Sequence, residues 1–248
     1  MRILGIIPSR FGSTRLEGKP LLDLQGKTMI QRVYEQAQKA LTHVLVATDD
    51  ERIEKTVKGF GGKVVMTDDQ HTTGTNRCLE AYELYTKRQS EPFDVIINIQ
   101  GDEPLLAPQQ IELLANCFKD QSVNMATLAM PVKTNEEIHQ GGVFVVLDKN
   151  QRALYFSRSV IPFVRDETPE DWTKHHTFYK HVGMYGFQPE ALKTFANLPQ
   201  TSLEKAECLE QNRWLEHGKH IQVALTNHPT IAIDTPNDLA KVRALLGD

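Results

Sequence analysis

Arg10 and Lys19 bracket a turn that reads Pro8-Ser9-Arg10-Phe11-Gly12-Ser13-Thr14-Arg15-Leu16-Glu17-Gly18-Lys19-Pro20. Its glycines let backbone N–H groups approach an anion, an arginine grips phosphate oxygens through a planar fork, and a lysine adds a compact positive charge. The chemistry such a turn serves is the binding of a phosphate-bearing ligand; with nothing to bind, the same residues make a solvated basic loop. The spacing is neither G-x-x-x-x-G-K-[ST] nor G-x-G-x-x-G, so the P-loop and dinucleotide fingerprints are both missing. An NAD-dependent oxidoreductase loses its marker for the same reason.

Two acidic positions complement the basic turn. Val95-Ile96-Ile97-Asn98-Ile99-Gln100 delivers Gly101-Asp102-Glu103-Pro104, and Ile231-Ala232-Ile233 delivers Asp234-Thr235-Pro236. An acid released where a buried strand ends is placed to hold a divalent cation on nucleotide phosphates. Alone, Asp102 reads equally as part of a Gly-Asp-Pro turn and Asp234 as a helix cap. Together with the basic loop they predict a site for a Mg2+–nucleotide complex. Arg158, Arg165, Lys180, His181, Tyr185, Glu210 and Gln211 form a further set of cationic and hydrogen-bonding side chains suited to a polyhydroxylated carboxylic acid. His175, His176 and His181 lack the spacing and the cysteine partners of a zinc site.

The elements that must position these residues alternate. Apolar, strand-sized runs at 3–7, 44–47, 63–66 and 95–99 are separated by helical spacing at 29–41, 51–60 and 76–87. This rhythm predicts an α/β fold with a doubly wound, mostly parallel sheet. A helix is expected at 108–119, then strands at 125–132, 143–147, 153–156 and 182–187 with little helix between them, which predicts a β-rich, mixed-direction insertion at about 125–190. One helix over 203–216, a strand at 221–225 and a closing helix at 236–246 complete the expectation of a single domain spanning 1–248.

Composition narrows the class. A chain of 248 residues with a formal net charge of −4 lacks the basic field that nucleic-acid backbones require. No apolar tract is long enough to span a bilayer, and no signal peptide is recognisable, so a cytoplasmic protein is expected. Cys78, Cys117 and Cys208 are scattered and odd in number, which supports neither a disulfide framework nor a metal knuckle.

The stretches IIPSRFGSTRLEGKPL, VATDD, VVMT, HTTGTNR, NIQGDEPL, MATLA, ALYFSR, IPF, KHVGMYGF, LEQNRWLEHG and IDTPNDLAKVR follow one another in an order and spacing that resemble the 3-deoxy-manno-octulosonate cytidylyltransferases, the CMP-Kdo synthetases of lipopolysaccharide assembly. The resemblance runs nearly end to end. It implies a nucleotidyltransferase fold, Rossmann-like and GT-A-like, and an enzyme that transfers CMP from CTP to the anomeric hydroxyl of Kdo with release of pyrophosphate. It implies that Arg10, Ser13, Arg15 and Lys19 receive the CTP phosphates, that Thr73, Gly74 and Arg77 lie against cytosine and ribose, and that Gln100 borders the sugar. Asp102 and Asp234 would hold Mg2+, and Arg158, Arg165, His181, Tyr185, Glu210 and Gln211 would receive the octulosonate. Homodimers through the β-rich part are implied as well.

Four positions depart from the family pattern. Glu17 stands where the family has proline, Asn76 where it has an acid, Phe144 where it has lysine, and Asn212 where it has leucine. These departures keep open a related acid sugar, such as an amino-substituted octulosonate, or a weakly catalytic binding paralogue. A neutral sugar 1-phosphate with UTP, dTTP or GTP is the nearest rival substrate set.

Overall fold

Uninterrupted apolar runs make the centre of the sheet. The computed structural model describes residues 1–12, 16–87, 89–139 and 141–247. In chain order, β1 (Ile3–Ser9) leads through the hairpin β2 (Asp23–Leu24) and β3 (Lys27–Thr28) to α1 (Met29–Ala40), β4 (His43–Thr48), α2 (Glu51–Gly59), β5 (Val64–Met66), α3 (Gly74–Thr86), β6 (Val95–Asn98) and α4 (Pro108–Asn116). The second half runs β7 (Met125–Pro131), α5 (Asn135–His139), β8 (Phe144–Leu147), β9 (Ala153–Ser157), α6 (Trp172–His175), β10 (Tyr179–Phe187), α7 (Pro189–Asn197), α8 (Ser202–Glu207), α9 (Gln211–Glu216), β11 (Gln222–Leu225) and α10 (Pro236–Gly247).

The main sheet has the order β11-β7-β10-β6-β1-β4-β5, with β8 and β9 branching from β10. Only β10 opposes its neighbours along that path; the other pairings are parallel. Period-two alternation sends β1 side chains to both faces. Ile7 packs with α1, α2 and α4 in one core, whereas Leu4 and Ile6 pack with α3, α7 and α9 in the other. Burial on both faces is why β1 and β6 read as continuous hydrophobic runs.

The branch differs from the expected insertion. β7 and β10 are not part of a separate β-rich body; they continue the main sheet between β11 and β6. What projects is β8 and β9 with the chain around α6, closed by a small core of Val132, Ile138, Phe144, Trp172 and Phe178. The expected helix over 203–216 is two helices, because Cys208 caps α8 in the left-handed conformation at φ 51° and redirects the chain. Helix α7 was not expected; its signals were Pro189 at the first turn and the spacing of Ala191, Leu192 and Phe195. Residues 231–233 form no strand, and Ile233 is instead buried with Leu24, Met29 and Val242.

Two of the departures have structural explanations here. Phe144 is fully buried in the projecting core. Asn212 is fully buried beside β9, which pairs with β8. Its Nδ2 donates to the Phe156 carbonyl at 2.9 Å and its Oδ1 accepts from the Phe156 N–H at 3.3 Å. Asn212→Leu strands both backbone groups and is expected to cost about 3 kcal/mol in urea unfolding. A loss well under 1 kcal/mol would mean that β9 does not depend on this amide.

Candidate active site

The site gathers where β1 and β6 end. Ile6 pairs with Asn98, so the segments that follow, Arg10 on one strand and Gln100 to Asp102 on the other, emerge side by side. Gly101 is required there: a Cβ would stand 3.0 Å from the Pro8 carbonyl oxygen. Asp234 arrives from far along the chain because the Ile233 N–H donates to the Asp102 carbonyl at 3.0 Å. This backbone bond sets the two acids next to each other without a strand. Asp234 is further fixed by Asp238, whose carboxylate accepts from the N–H groups of Asp234 at 3.2 Å and Thr235 at 2.9 Å.

Lys19 joins them. Its Nζ lies 2.8 Å from Asp102 Oδ2 and 3.1 Å from Asp234 Oδ1, and its side chain is only 11% exposed. Pro8, Ser9, Arg10, Pro20, Met29, Gln100 and Gly101 complete a cavity of about 260 Å3 around this cluster. Arg10 and Lys19, the bracketing cations of the basic turn, thus share one cavity with both acids. Behind Asp102, burial first and the Asp102 charge second push Glu103 up to about 7, so it carries less than a full charge at neutral pH. Ser13 and Arg15 lie outside the described residues.

Two carboxylates from separate segments, converging on one cation and lacking any histidine or cysteine neighbour, form a hard-oxygen donor set. No cluster of three or more His, Cys, Asp or Glu ligands occurs among the described residues. This fits Mg2+, which takes one or two protein carboxylates and completes its shell with phosphate and water oxygens. It does not fit zinc, which is held by three or four protein ligands.

Gln100 borders the cavity and is tied toward β10, its Nε2 donating to the Gly183 carbonyl at 2.6 Å. Opposite Leu128 and Thr127, β10 carries two extra residues between Val182 and Tyr185. Such a bulge re-aims the flanking side chains. Thr127 Oγ1 fills it, donating toward the Met184 carbonyl at 2.8 Å and meeting His181 Nε2 at 2.9 Å. The His181 and Tyr185 rings lie 5.3 Å apart. Burial pushes His181 down to about 3, which keeps the ring neutral and makes it a poor general base. Desolvation, with the Glu210 charge second, pushes the Tyr185 hydroxyl up, so it stays protonated.

Glu210 and Gln211 open α9 near this pair. Glu210 Oε2 accepts from the Thr75 hydroxyl at 2.9 Å and its Oε1 faces Arg213 Nη2 at 4.0 Å; among the described residues neither Oε1 nor the buried Gln211 Nε2 has a hydrogen-bond partner. Desolvation pushes Glu210 up despite the hydrogen bond from Thr75. Buried polar atoms of this kind call for a partner such as water or a bound hydroxyl group. Thr73 caps α3, accepting the Asn76 N–H at 3.2 Å. Gly74 backs onto Pro8 and Asn98, where a Cβ would sit 3.6 and 3.8 Å from their side chains.

Of the expected residues, Arg10, Lys19, Gln100, Asp102 and Asp234 line the cavity, whereas Thr73, Gly74, Arg77, Arg158, Arg165, His181, Tyr185, Glu210 and Gln211 do not, and the three arginines among these are engaged or exposed elsewhere. Arg77 is buried, with Nη1 on Thr67 Oγ1 at 2.6 Å and Nη2 on Asp49 Oδ2 at 2.5 Å. Its fork is occupied by structural partners, so its place is to tie α3 to the ends of β4 and β5. Arg158 is exposed and donates to the carbonyls of Glu207 at 2.7 Å and Cys208 at 3.3 Å. Arg165 is 88% exposed and pairs with the neighbouring Asp166 at 3.6 Å. The residues that sequence reasoning missed are Met29 in the cavity wall and Thr75 and Thr127 beside Glu210 and His181; as small or apolar residues they carry no chemical signal until the fold places them.

With that geometry in hand, comparison with known proteins is specific. The family model described as cytidylyltransferase matches residues 4–221. A 3-deoxy-manno-octulosonate cytidylyltransferase of Parabacteroides distasonis is 50% identical over 254 residues, covering 100% of this chain and 99% of that one. One of the same name from Bacteroides thetaiotaomicron is 52% identical over 250 residues, covering 99% and 98%. The solved structure of a CMP:2-keto-3-deoxy-manno-octonic acid synthetase complexed with CTP matches at TM-score 0.89 and 40% identity, covering 100% of this chain and 99% of that one. A 4-diphosphocytidyl-2C-methyl-D-erythritol synthase from Anaerococcus prevotii, 12% identical at TM-score 0.62, shares the fold.

Proposed function

The chain belongs to the cytidylyltransferase family, and on that premise we propose that it transfers CMP from CTP to 3-deoxy-manno-octulosonate, forming CMP-Kdo and pyrophosphate. The observation that carries the reading is the convergence of Lys19, Asp102 and Asp234 in a cavity that Arg10 also lines. Full-length relatives with half their residues identical are named for this reaction.

The anomeric hydroxyl of the sugar attacks the α-phosphorus of CTP. The new P–O bond forms as the bond from the α-phosphorus to the α,β-bridging oxygen breaks; pyrophosphate carries away the electron pair and the hydroxyl proton is released to water. Arg10 and Lys19 supply positive charge to the triphosphate and to the departing pyrophosphate. Asp102 and Asp234 are the residues that would hold Mg2+, which when bound supplies charge neutralisation on the triphosphate. His181, Tyr185, Glu210 and Gln211 offer hydrogen-bonding groups to the sugar hydroxyls. Holding the two substrates in line supplies the remainder of the catalysis.

The exposed side chains Phe163 (74%) and Leu154 (61%) on the projecting branch support assembly as a homodimer through that face. No helix among the described residues is long and apolar enough to cross a membrane, which is compatible with work in the cytoplasm, where CTP is made.

The test is pyrophosphate release with Mg2+ under matched CTP or UTP, offering Kdo, its 8-amino analogue and N-acetylneuraminate in parallel. Turnover with CTP and Kdo, lost with UTP, is expected. Preference for UTP, or for N-acetylneuraminate over Kdo, would overturn the assignment.

A further inference from the structure

Arg52 opens α2 outside the cavity, and no substrate-binding role accounts for its arrangement. Its guanidinium engages both Asp50 and Phe11. Nε and Nη2 donate to Asp50 Oδ1 at 3.0 Å and Oδ2 at 2.7 Å, while the plane covers the Phe11 ring at 3.3 Å from its centre. Asp50 is itself fixed, because the same Oδ1 caps α2 by accepting the Arg52 N–H at 2.9 Å. Phe11 meets Gly18 across the neck of the basic turn. A Cβ on Gly18 would stand 3.0 Å from the ring, and Gly18 has φ +64°, so both space and backbone demand glycine. The Gly18 N–H donates to the Phe11 carbonyl at 3.2 Å and closes that neck. α2 also packs on the short turn Lys19–Leu21.

The closed neck separates the two site cations: Arg10 precedes Phe11 and Lys19 follows Gly18. We propose that Arg52 is a positioning residue for CTP, pressing Phe11 onto Gly18 so that Arg10 and Lys19 are held at the separation the triphosphate requires. Glu17 fits this arrangement: its carboxylate adds a favourable charge interaction with Arg52.

The proposal rests on the cytidylyltransferase reading, so its test begins with calorimetric CTP binding by the wild-type chain. Failure of that control would sink the site reading itself, and the proposal with it. Given binding, Arg52→Ala and Phe11→Leu are each expected to raise the Kd and KM for CTP about fivefold, the worth of one exposed cation–π contact, with the KM for the sugar unchanged. The double variant is expected to add little to either single one, because both break the same clamp. Arg52→Lys, which keeps the charge and part of the stacking, is expected to recover part of the loss. If Arg52→Ala lowers the melting temperature while CTP affinity stays at the wild-type value, Arg52 is only a helix-end brace. If the two single effects simply add, Arg52 acts through its charge and not through Phe11; either result overturns the proposal.

Discussion

Asp102→Asn is expected to cut CTP-dependent pyrophosphate release by about a thousandfold, the scale of removing one aligned charge from a reacting centre. The substitution keeps size and removes the negative charge that faces Lys19 at 2.8 Å. One of two carboxylates available to Mg2+ is lost, while the backbone bond from Ile233 to the Asp102 carbonyl is untouched. The fold should therefore survive, which far-UV circular dichroism and an unchanged unfolding midpoint would show. Mn2+ binding followed by electron paramagnetic resonance should weaken in parallel, giving a readout independent of turnover. Activity within tenfold of wild type would remove Asp102 from the chemistry.

The largest effect on stability is expected at Arg213. Its Nε and Nη2 donate to Glu204 Oε2 at 2.7 Å and Oε1 at 2.5 Å, and Nη1 reaches the Leu198 carbonyl at 3.1 Å. Both partners are buried. Arg213→Met strands a buried carboxylate, which costs about 3–5 kcal/mol. For a chain of this size that is a fall of roughly 10 °C in melting temperature. Replacing Glu204 by leucine as well should return most of the loss, since the expense lies in the unpaired charge. Because α9 also presents Glu210 and Gln211, sugar affinity should weaken in the single variant. A drop below about 1 kcal/mol would mean that solvent reaches Glu204 and relieves it.

The residues that the cavity gathers, Arg10, Lys19, Asp102 and Asp234, were legible in the sequence, and how they are brought together was not. Asp102 could be located because strand, glycine and acid are contiguous from Val95 to Asp102. Asp234 was legible as an acid before a helix, but its approach to Asp102 depends on a long-range backbone bond from Ile233 that no local pattern encodes. The alternation of strands and helices was readable through α4, where each element follows the last. The strands β7 and β10 were readable too, but not their place: β10 inserts beside β6 and β7 beside β10, and sequence alone does not fix that order. The break between α8 and α9 had no signal, since a left-handed cap at a cysteine in place of glycine or asparagine is uncommon.

Charge type alone also misassigned position. Arg77 and Arg158 have the residue type of a ligand anchor, yet both forks are filled by protein partners. Phe144 and Asn212 looked like changes in substrate choice and are instead packing and strand-edge pairing. With those two explained within the fold, the case for a different sugar rests on fewer residues.

The most direct test is a phosphorus NMR spectrum of the reaction of the purified chain with CTP, Mg2+ and Kdo. The account predicts that the triphosphate signals give way to equal amounts of pyrophosphate and one phosphodiester, CMP-Kdo. Free CMP without a diester, or an unchanged triphosphate in the presence of bound CTP, would contradict cytidylyl transfer to the sugar.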